Sequence, residues 1–269
     1  MPAAELSRLQ AQISAISTQF DEPRIFLRSL LTLMELYSDQ HYKPGNFSGV
    51  QHLLPEYRLP ALVIKQLSAS LSSLTADHPI PAMQIMDALW KAKHFEARLM
   101  AAVMLGSLPA QPIEPVMDRI NNWVNSEEDK DLITALLNSA NRLLRAEKME
   151  VWLNQINHWL RFDNEGLVKI GLQALHVILN DPKFVNSEKI FPLLEPVILH
   201  PILSLQKELL SMVELLADHS EMETTAFFRS VLAQTNDAEV IRFVRRCLPL
   251  LQQDSQISLK SFMNPSKKT

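Results

Sequence analysis

The sequence predicts an all-α fold, a single-domain α-solenoid in which antiparallel helix pairs stack side by side. The main observation is a repeat: a bulky apolar residue ends one helical run, a short polar break follows, and a new helical run begins. The period of roughly 33–39 residues is typical of stacked helical repeats, because one helix pair cannot bury its own apolar face. Composition agrees, since 5 glycines and 7% aromatic residues disfavour a β-rich fold and 47% hydrophobic residues suffice for a core. The residues that end the runs are Trp90, Trp123, Trp159, Ile198 and Leu232.

Apolar residues follow helical spacing along most of the chain. In residues 81–92, the side chains of Met83, Met86 and Trp90 recur at the three-and-four spacing that places them on one face. The apolar residues of 167–179 wrap more than one side, which is typical of a helix packed between neighbours. Helices are therefore predicted over residues 3–20, 23–38, 60–75, 81–92, 94–106, 113–124, 130–145, 147–160, 164–180, 187–199, 201–218, 221–234 and 237–251.

The breaks between these helices carry turn and capping residues. Asp21, Ser187 and the pair Asn236-Asp237 are predicted to cap the helices that follow them, because their side chains can accept hydrogen bonds from the first free N–H groups. Residues 39–59 form a long connection of a kind that is often functional or mobile. The repeat domain is predicted to span residues 1–263, and residues 264–269 are predicted to be a flexible tail.

Cysteine content and hydropathy indicate a cytoplasmic location without a membrane span. Cys247 is the lone cysteine, which excludes an internal disulfide and suits a reducing compartment. The N-terminus lacks the profile of a signal peptide, and no run of about 18 apolar residues is present. Free cysteine is most often a buried core residue, and that is the favoured interpretation of Cys247. The alternative is a reactive thiol whose pKa is lowered by Arg245 and Arg246.

The sequence contains no self-contained catalytic motif. A glycine-rich phosphate loop, a nucleophile elbow and a pair of histidines at zinc-binding spacing are all absent, so neither a metal nor a cofactor is expected, and no catalytic residue is assigned. The regular placement of Trp90, Trp123 and Trp159 favours core packing over a groove that stacks on a ligand. Trp152 is predicted to share a helix face with Trp159.

One basic residue recurs after each repeat anchor. The net charge is −4 and the pI is about 6.1, whereas proteins that bind duplex phosphates usually carry a basic excess. A local basic stripe is still compatible with this balance, because equivalent positions of a solenoid align along one surface. The alternative is that these are ordinary solvated side chains. The candidate nucleic-acid-binding residues are Arg98, Lys130, Lys169, Lys207 and Arg242.

Several segments resemble the DNA alkylation repair enzymes, a family of HEAT-like glycosylases. The most specific is LWKAKHFEARLMAAVML (residues 89–105), with an apolar-Trp pair, a short break and His94-x-Glu96-Ala97-Arg98 on an alanine-rich helix. The segments YRLPALVIKQLS, WVNSEEDKDLITALL and WLRFDNEGLVKIGLQAL are similar to flanking parts of the family pattern. The resemblance implies a right-handed superhelix of paired helices that holds duplex DNA in its concave face. It also implies excision of cationic alkylated purines by an acidic residue and tryptophans.

The chain departs from the family pattern at its functional positions. The Trp-x-x-x-Asp pattern falls on Lys130 to Thr134, and the later tryptophan falls on Gly166, with Lys169 at the basic position that follows. Threonine carries no negative charge to stabilise the cation that develops as a glycosidic bond breaks, and glycine has no aromatic face. The resemblance thus implies the fold of the family without its usual catalytic residues.

Three functions follow from these observations. The favoured one is a divergent family member that binds nucleic acid, with duplex DNA as the candidate ligand, through its concave face without standard base excision. The second is a protein-interaction scaffold, which the acidic balance and 11 methionines favour. The third is an active glycosylase for alkylated purines with a rearranged site that uses Trp123 and one of Glu128, Asp129 and Asp131.

Overall fold

The computed structural model describes residues 3–38, 53–126, 129–161, 163–182, 184 and 187–263. Every regular element in these ranges is helical, so the all-α prediction is confirmed for the described part of the chain. The tail 264–269, most of the connection 39–59 and Glu128 lie outside these residues. The α-helices are α1 (Ala3–Ser17), α2 (Pro23–Leu36), α3 (Ala61–Asp77), α4 (Pro79–Trp90), α5 (Phe95–Leu105), α6 (Glu114–Ser126), α7 (Lys130–Ala135), α8 (Arg142–Glu147), α9 (Met149–Leu160), α10 (Glu165–Leu179), α11 (Phe191–Leu199), α12 (Gln206–Gln234), α13 (Ala238–Cys247) and α14 (Gln253–Met263).

Most helix boundaries lie close to the predicted ones, but α11 begins at Phe191 rather than at residue 187 and α12 begins at Gln206 rather than at residue 201. Helix α14 was not predicted, because its apolar residues are sparse and its first turn is polar. Residues 136–140 form a π-helical turn between α7 and α8, where the sequence predicts a continuous α-helix. The two predicted helices around residue 220 are present, and α12 bends between them at Ser220, whose backbone is not helical.

The capping predictions have mixed outcomes. Asp237 caps α13 by accepting from the N–H of Glu239, as predicted. The predictions for Asp21 and Ser187 are wrong. Asp21 pairs with His78 at 3.1 Å, and the Ser187 hydroxyl donates to Glu223. In both cases the side chain that was predicted to cap a helix instead bonds to a residue distant in sequence.

The helices form two compact units, Met1–Met149 and Glu150–Thr269. Within the first unit, α1 packs against α3, α3 against α5 and α5 against α7, while α2 packs against α4. Consecutive helices also pack in pairs, most extensively α4 with α5. Helices α1 to α5 thus each contact both a chain neighbour and a helix two places away along the chain, the pattern expected for layers of helix pairs.

The second unit repeats this pattern. Helix α10 packs against α12, α12 against α14, and α11 against α13, and α12 also packs against α13. Trp152 and Trp159 are both buried in α9, and their rings meet edge to face at 5.4 Å between centroids. The prediction that they share a helix face is confirmed.

The segment before α3 is held by two buried carboxylates of the first unit. Glu96, 3% exposed in α5, accepts hydrogen bonds from the N–H groups of Tyr57 (2.9 Å), Arg58 (2.6 Å) and Leu59 (3.3 Å). Asp129 accepts from the N–H of Leu53 at 2.9 Å. Arg58 has a φ of 57°, a left-handed conformation that is unfavourable for a residue with a side chain. The Glu96 carboxylate thus stabilises a strained turn at the start of α3.

The π-helical turn packs directly against the end of α5. Gly106, which follows α5, lies so close that a Cβ atom there would stand 1.6 Å from the carbonyl oxygen of Ser139. The guanidinium of Arg145 donates to the carbonyl oxygens of Leu137 (2.6 Å) and Asn138 (3.1 Å) in this turn. The turn therefore accepts hydrogen bonds from a side chain of α8 and is in close contact with the end of α5.

Candidate nucleic-acid interface

Four basic residues of the second unit lie on three helices, of which the middle one packs against the other two. We call these four residues the basic band. They are Lys169 of α10, Lys207 of α12, and Arg242 and Arg246 of α13. Since α12 packs against both α10 and α13, the band crosses neighbouring helices rather than following one. Three of the five predicted basic positions belong to it.

The α10 end of the band is tied to α12 by an ion pair. The Lys169 ammonium lies 3.0 Å from a carboxylate oxygen of Glu208, the residue after Lys207. Burial by itself raises the pKa of Glu208, but the hydrogen bond from Lys169 and the charges of Lys169 and Lys207 outweigh it, so this pKa lies below its ordinary value. Glu208 is therefore ionised at neutral pH and fixes the position of Lys169.

The α13 end of the band is more open to solvent. Arg242 and Arg246 lie one turn apart on α13 and are both exposed, so their guanidinium groups share a face. The guanidinium of Arg246 donates to the side-chain oxygen of Gln206, which precedes Lys207. Further along the same face of α12 come Glu214 and Asp218, both exposed, so the basic character is confined to the first turns of α12.

Arg98, in the first unit, is engaged by the protein itself. Its Nε donates to the carbonyl oxygen of Ala92 at 3.1 Å, and its guanidinium carbon lies 5.6 Å from the centroid of the Trp90 ring. Trp90 is stacked on Trp123 with 4.5 Å between centroids and 7° between planes. All three indoles predicted to be core residues, Trp90, Trp123 and Trp159, are buried, which confirms that interpretation. Arg98 of α5 therefore contacts the end of α4 and the turn that follows it.

Lys130 and Thr134 occupy the family's Trp-x-x-x-Asp positions on one turn of α7. Both side chains are exposed, and the Thr134 hydroxyl donates to the carbonyl oxygen of Lys130 at 2.8 Å. Gly166, at the later tryptophan position, lies in the first turn of α10, where its N–H donates to the side chain of Asn164. These positions present an ammonium, a hydroxyl and a backbone, and none of these supplies the charge or the aromatic face of the family pattern.

Asp129 is occupied by the backbone around it. It is 3% exposed, and besides Leu53 it accepts from the N–H groups of Asp131 (2.9 Å) and Leu132 (3.2 Å) as the N-cap of α7. Trp123, the aromatic residue proposed to act with it, is buried against Trp90. This geometry favours the structural role of a helix cap over contact with a base.

Cys247 is a core residue. It is fully buried at the end of α13, and burial raises the pKa of its thiol to about 12. The alternative interpretation, a thiol with a lowered pKa, is therefore wrong. Arg245 and Arg246 are both exposed and point away from the buried face that carries Cys247. The favoured interpretation, that Cys247 is a buried core residue, is confirmed.

Among the described residues, no group of three or more His, Cys, Asp or Glu side chains is arranged to hold a metal ion. None of the described helices has the length and apolar content needed to cross a bilayer.

The sequence profile of one protein family, described as DNA alkylation repair enzyme, matches residues 57–246 of the 269-residue chain. The matched region begins at the turn held by Glu96 and ends within α13, so it contains all four residues of the basic band. Comparison with curated proteins and with solved structures gave no match.

Proposed function

Because the chain belongs to the DNA alkylation repair enzyme family, we propose that it binds nucleic acid, in the first place duplex DNA, without carrying out the base excision typical of the family. The observation that carries this proposal is the basic band, which presents cations from three packed helices within the matched region. Cations at fixed spacing neutralise phosphates and release counterions, and this supplies most of the affinity of non-specific DNA binding. Lys130 is a further exposed cation that we assign to binding.

The packing pattern supports a HEAT-like solenoid, the fold that we propose for the matched region. Within each unit, alternate helices pack against each other and consecutive helices pair. This is the arrangement in which each helix pair buries its apolar face against the next. The band residues then belong to the inner helices of successive pairs, which line the concave face of the proposed right-handed superhelix.

Reversing the charge of the α13 end of the band is expected to weaken DNA binding. The double variant Arg242→Glu/Arg246→Glu removes two phosphate contacts, so affinity at low salt falls at least about ten-fold and the salt slope falls by about 2. Between 50 and 200 mM salt, the wild type then loses about ten-fold more affinity than the variant does. Fluorescence anisotropy with a labelled duplex over a salt series measures both quantities.

The matched control is Arg229→Glu/Lys260→Glu, which changes the net charge equally in the same unit but outside the band. It is expected to keep the wild-type salt slope. Equal losses of DNA affinity in both double variants would show that only net charge matters and that the band is not the interface. A wild-type dissociation constant weaker than about 10⁻⁴ M at physiological salt would remove the proposed function itself.

We expect no release of alkylated purines from methylated duplex DNA above the spontaneous rate, even with protein in excess. The physical reason is that Thr134 places a hydroxyl, already bonded to the Lys130 carbonyl, where the family pattern has a carboxylate. Chromatography of released bases after a single turnover is the measurement. Release above the spontaneous rate that Asp131→Asn abolishes would instead favour the rearranged glycosylase site.

A protein-binding role is the second candidate, favoured by an apolar cleft in the first unit. The cleft has a volume of about 180 Å³ between α4 and α6, and Ile80 at its edge is 70% exposed. A pull-down from native lysate after nuclease treatment separates the two roles. A partner held through nucleic acid is lost on treatment, whereas a protein partner bound to the cleft remains. That protein partner is expected not to bind the Ile80→Asp variant.

A further inference from the structure

A pocket of about 260 Å³ opens between α10 and α12, beside the basic band. Its inner side is formed by Leu172 and Met212, which are both buried. Its polar residues come from the exposed faces of the two helices: they are Gln173, His176, Lys207, Glu208 and Ser211. Lys207 belongs both to the pocket and to the band, so a backbone bound on the band would pass the mouth of the pocket.

The polar groups of the pocket offer donors and acceptors at its rim. The side-chain nitrogen of Asn180 lies 2.9 Å from Nδ1 of His176 and donates to the His176 carbonyl oxygen (2.8 Å), so the ring of His176 is held by its own helix. Gln173 carries an amide donor and an amide oxygen, and Ser211 carries a hydroxyl. Glu208 adds a carboxylate whose charge is balanced by Lys169.

This combination suits a flat, uncharged, polar-edged group rather than a phosphate. An anion would gain little from the apolar inner side and would meet the carboxylate of Glu208. A nucleobase has apolar faces for Leu172 and Met212 and a polar edge for Gln173 and Ser211, and glutamine pairs well with the edge of adenine. The volume lies just below that of sites for drug-sized ligands, about 300–1,000 Å³, so one base fits better than a longer segment.

We propose that this pocket receives a single unpaired nucleobase of a nucleic acid whose backbone lies on the basic band. The inference rests on the proposed function, since the band must first hold the backbone. A base that is already outside the helical stack costs least to place there, so the preferred ligand is a duplex with an unpaired nucleotide.

The test compares three labelled duplexes that share one sequence. One is fully paired, one has a single bulged adenosine, and one has a bulged abasic nucleotide, which keeps the backbone of the bulge but has no base. The wild type is expected to bind the adenosine bulge about ten-fold more tightly than the abasic bulge. Equal affinity for the two bulges would overturn the pocket and leave the proposed function intact. Binding to none of the three would overturn both.

A filled pocket gives the second arm of the experiment. Ser211→Phe places a ring in the pocket from a half-buried surface position, and is expected to abolish the preference for the adenosine bulge while affinity for the paired duplex stays within about two-fold. Ser230→Phe, the same substitution at an exposed site on the second half of α12, is expected to keep the preference. Arg242→Glu/Arg246→Glu is expected to weaken all three complexes and leave their ratio unchanged. A preference that survives in folded Ser211→Phe, judged by its thermal unfolding curve, would overturn the proposal.

Discussion

Replacing Gly106 with alanine is expected to destabilise the protein by about 3 kcal/mol or more, at the upper end of overpacking effects. The added Cβ would lie 1.6 Å from the carbonyl oxygen and 2.6 Å from the carbonyl carbon of Ser139. Both are backbone atoms of the π-helical turn, so no rotamer change relieves the clash and α5 must separate from the turn. Thermal unfolding followed by circular dichroism should show a melting temperature lower by on the order of 10 °C.

The other two glycines in the described ranges, Gly171 and Gly166, give graded controls for this prediction. A Cβ at Gly171 would lie 2.8 Å from the end of the Leu160 side chain, which can move. At Gly166 the nearest atom is the Asn164 side-chain oxygen at 3.0 Å, on the exposed start of α10. The expected order of destabilisation is Gly106→Ala, then Gly171→Ala, then Gly166→Ala, the last within about 1 kcal/mol of zero. A Gly106→Ala protein as stable as Gly166→Ala would contradict the close contact between α5 and the π-helical turn.

Replacing Glu96 with alanine is expected to cost about 3–5 kcal/mol and to release the turn before α3. The substitution leaves three N–H donors of residues 57–59 without their acceptor, and each buried unpaired donor costs about 1–3 kcal/mol. Arg58 then has no reason to keep its left-handed backbone. Limited proteolysis near residues 53–60, together with urea unfolding, measures the release and the loss of stability.

Glu56→Ala is the control, because it removes a carboxylate from the same segment. Glu56 is half-buried and lies 3.7 Å from Nε of Arg58, so its loss removes one long ion pair and is expected to cost about 1 kcal/mol. If both variants were cleaved at the same rate and unfolded at the same urea concentration, the clamp by Glu96 would be disproved. The prediction also gives a physical role to the His-x-Glu-Ala-Arg segment that marks the family resemblance: its glutamate orders the turn that begins the matched region.

The sequence predicted the positions of the helices well and the contacts between residues of different helices poorly. The spacing of apolar residues acts within a few turns of one helix, and it located α1 to α13 within a few residues. The same reasoning missed α14, whose pattern is weak, and the π-helical turn, which depends on Gly106 and Arg145 from other elements. It also assigned Asp21 and Ser187 to caps that they do not form, because His78 and Glu223 bind them instead.

The candidate site divides in the same way. The recurring cations could be selected from the sequence by repeat position, and Lys169, Lys207 and Arg242 do lie on helices that pack together. Arg98 occupies an equivalent repeat position, yet it lies against Trp90 and the Ala92 carbonyl. Arg246 was absent from the prediction, although its position one turn after Arg242 could have included it. No signal in the sequence indicated the pocket between α10 and α12.

By itself the sequence determined that the chain is helical, where the helices lie, that Cys247 and the tryptophans favour the core, and that the family's acidic and aromatic positions are occupied by Lys130, Thr134 and Gly166. These properties depend on residue identity and on spacing within one helix. The tertiary structure alone decided which carboxylates are clamps, which cations share a surface and where a cavity opens between helices. Those properties depend on which helix faces meet, and the packing of the whole unit sets this, because the contacts join residues far apart in sequence, from 38 positions for Arg58 and Glu96 to 76 for Leu53 and Asp129.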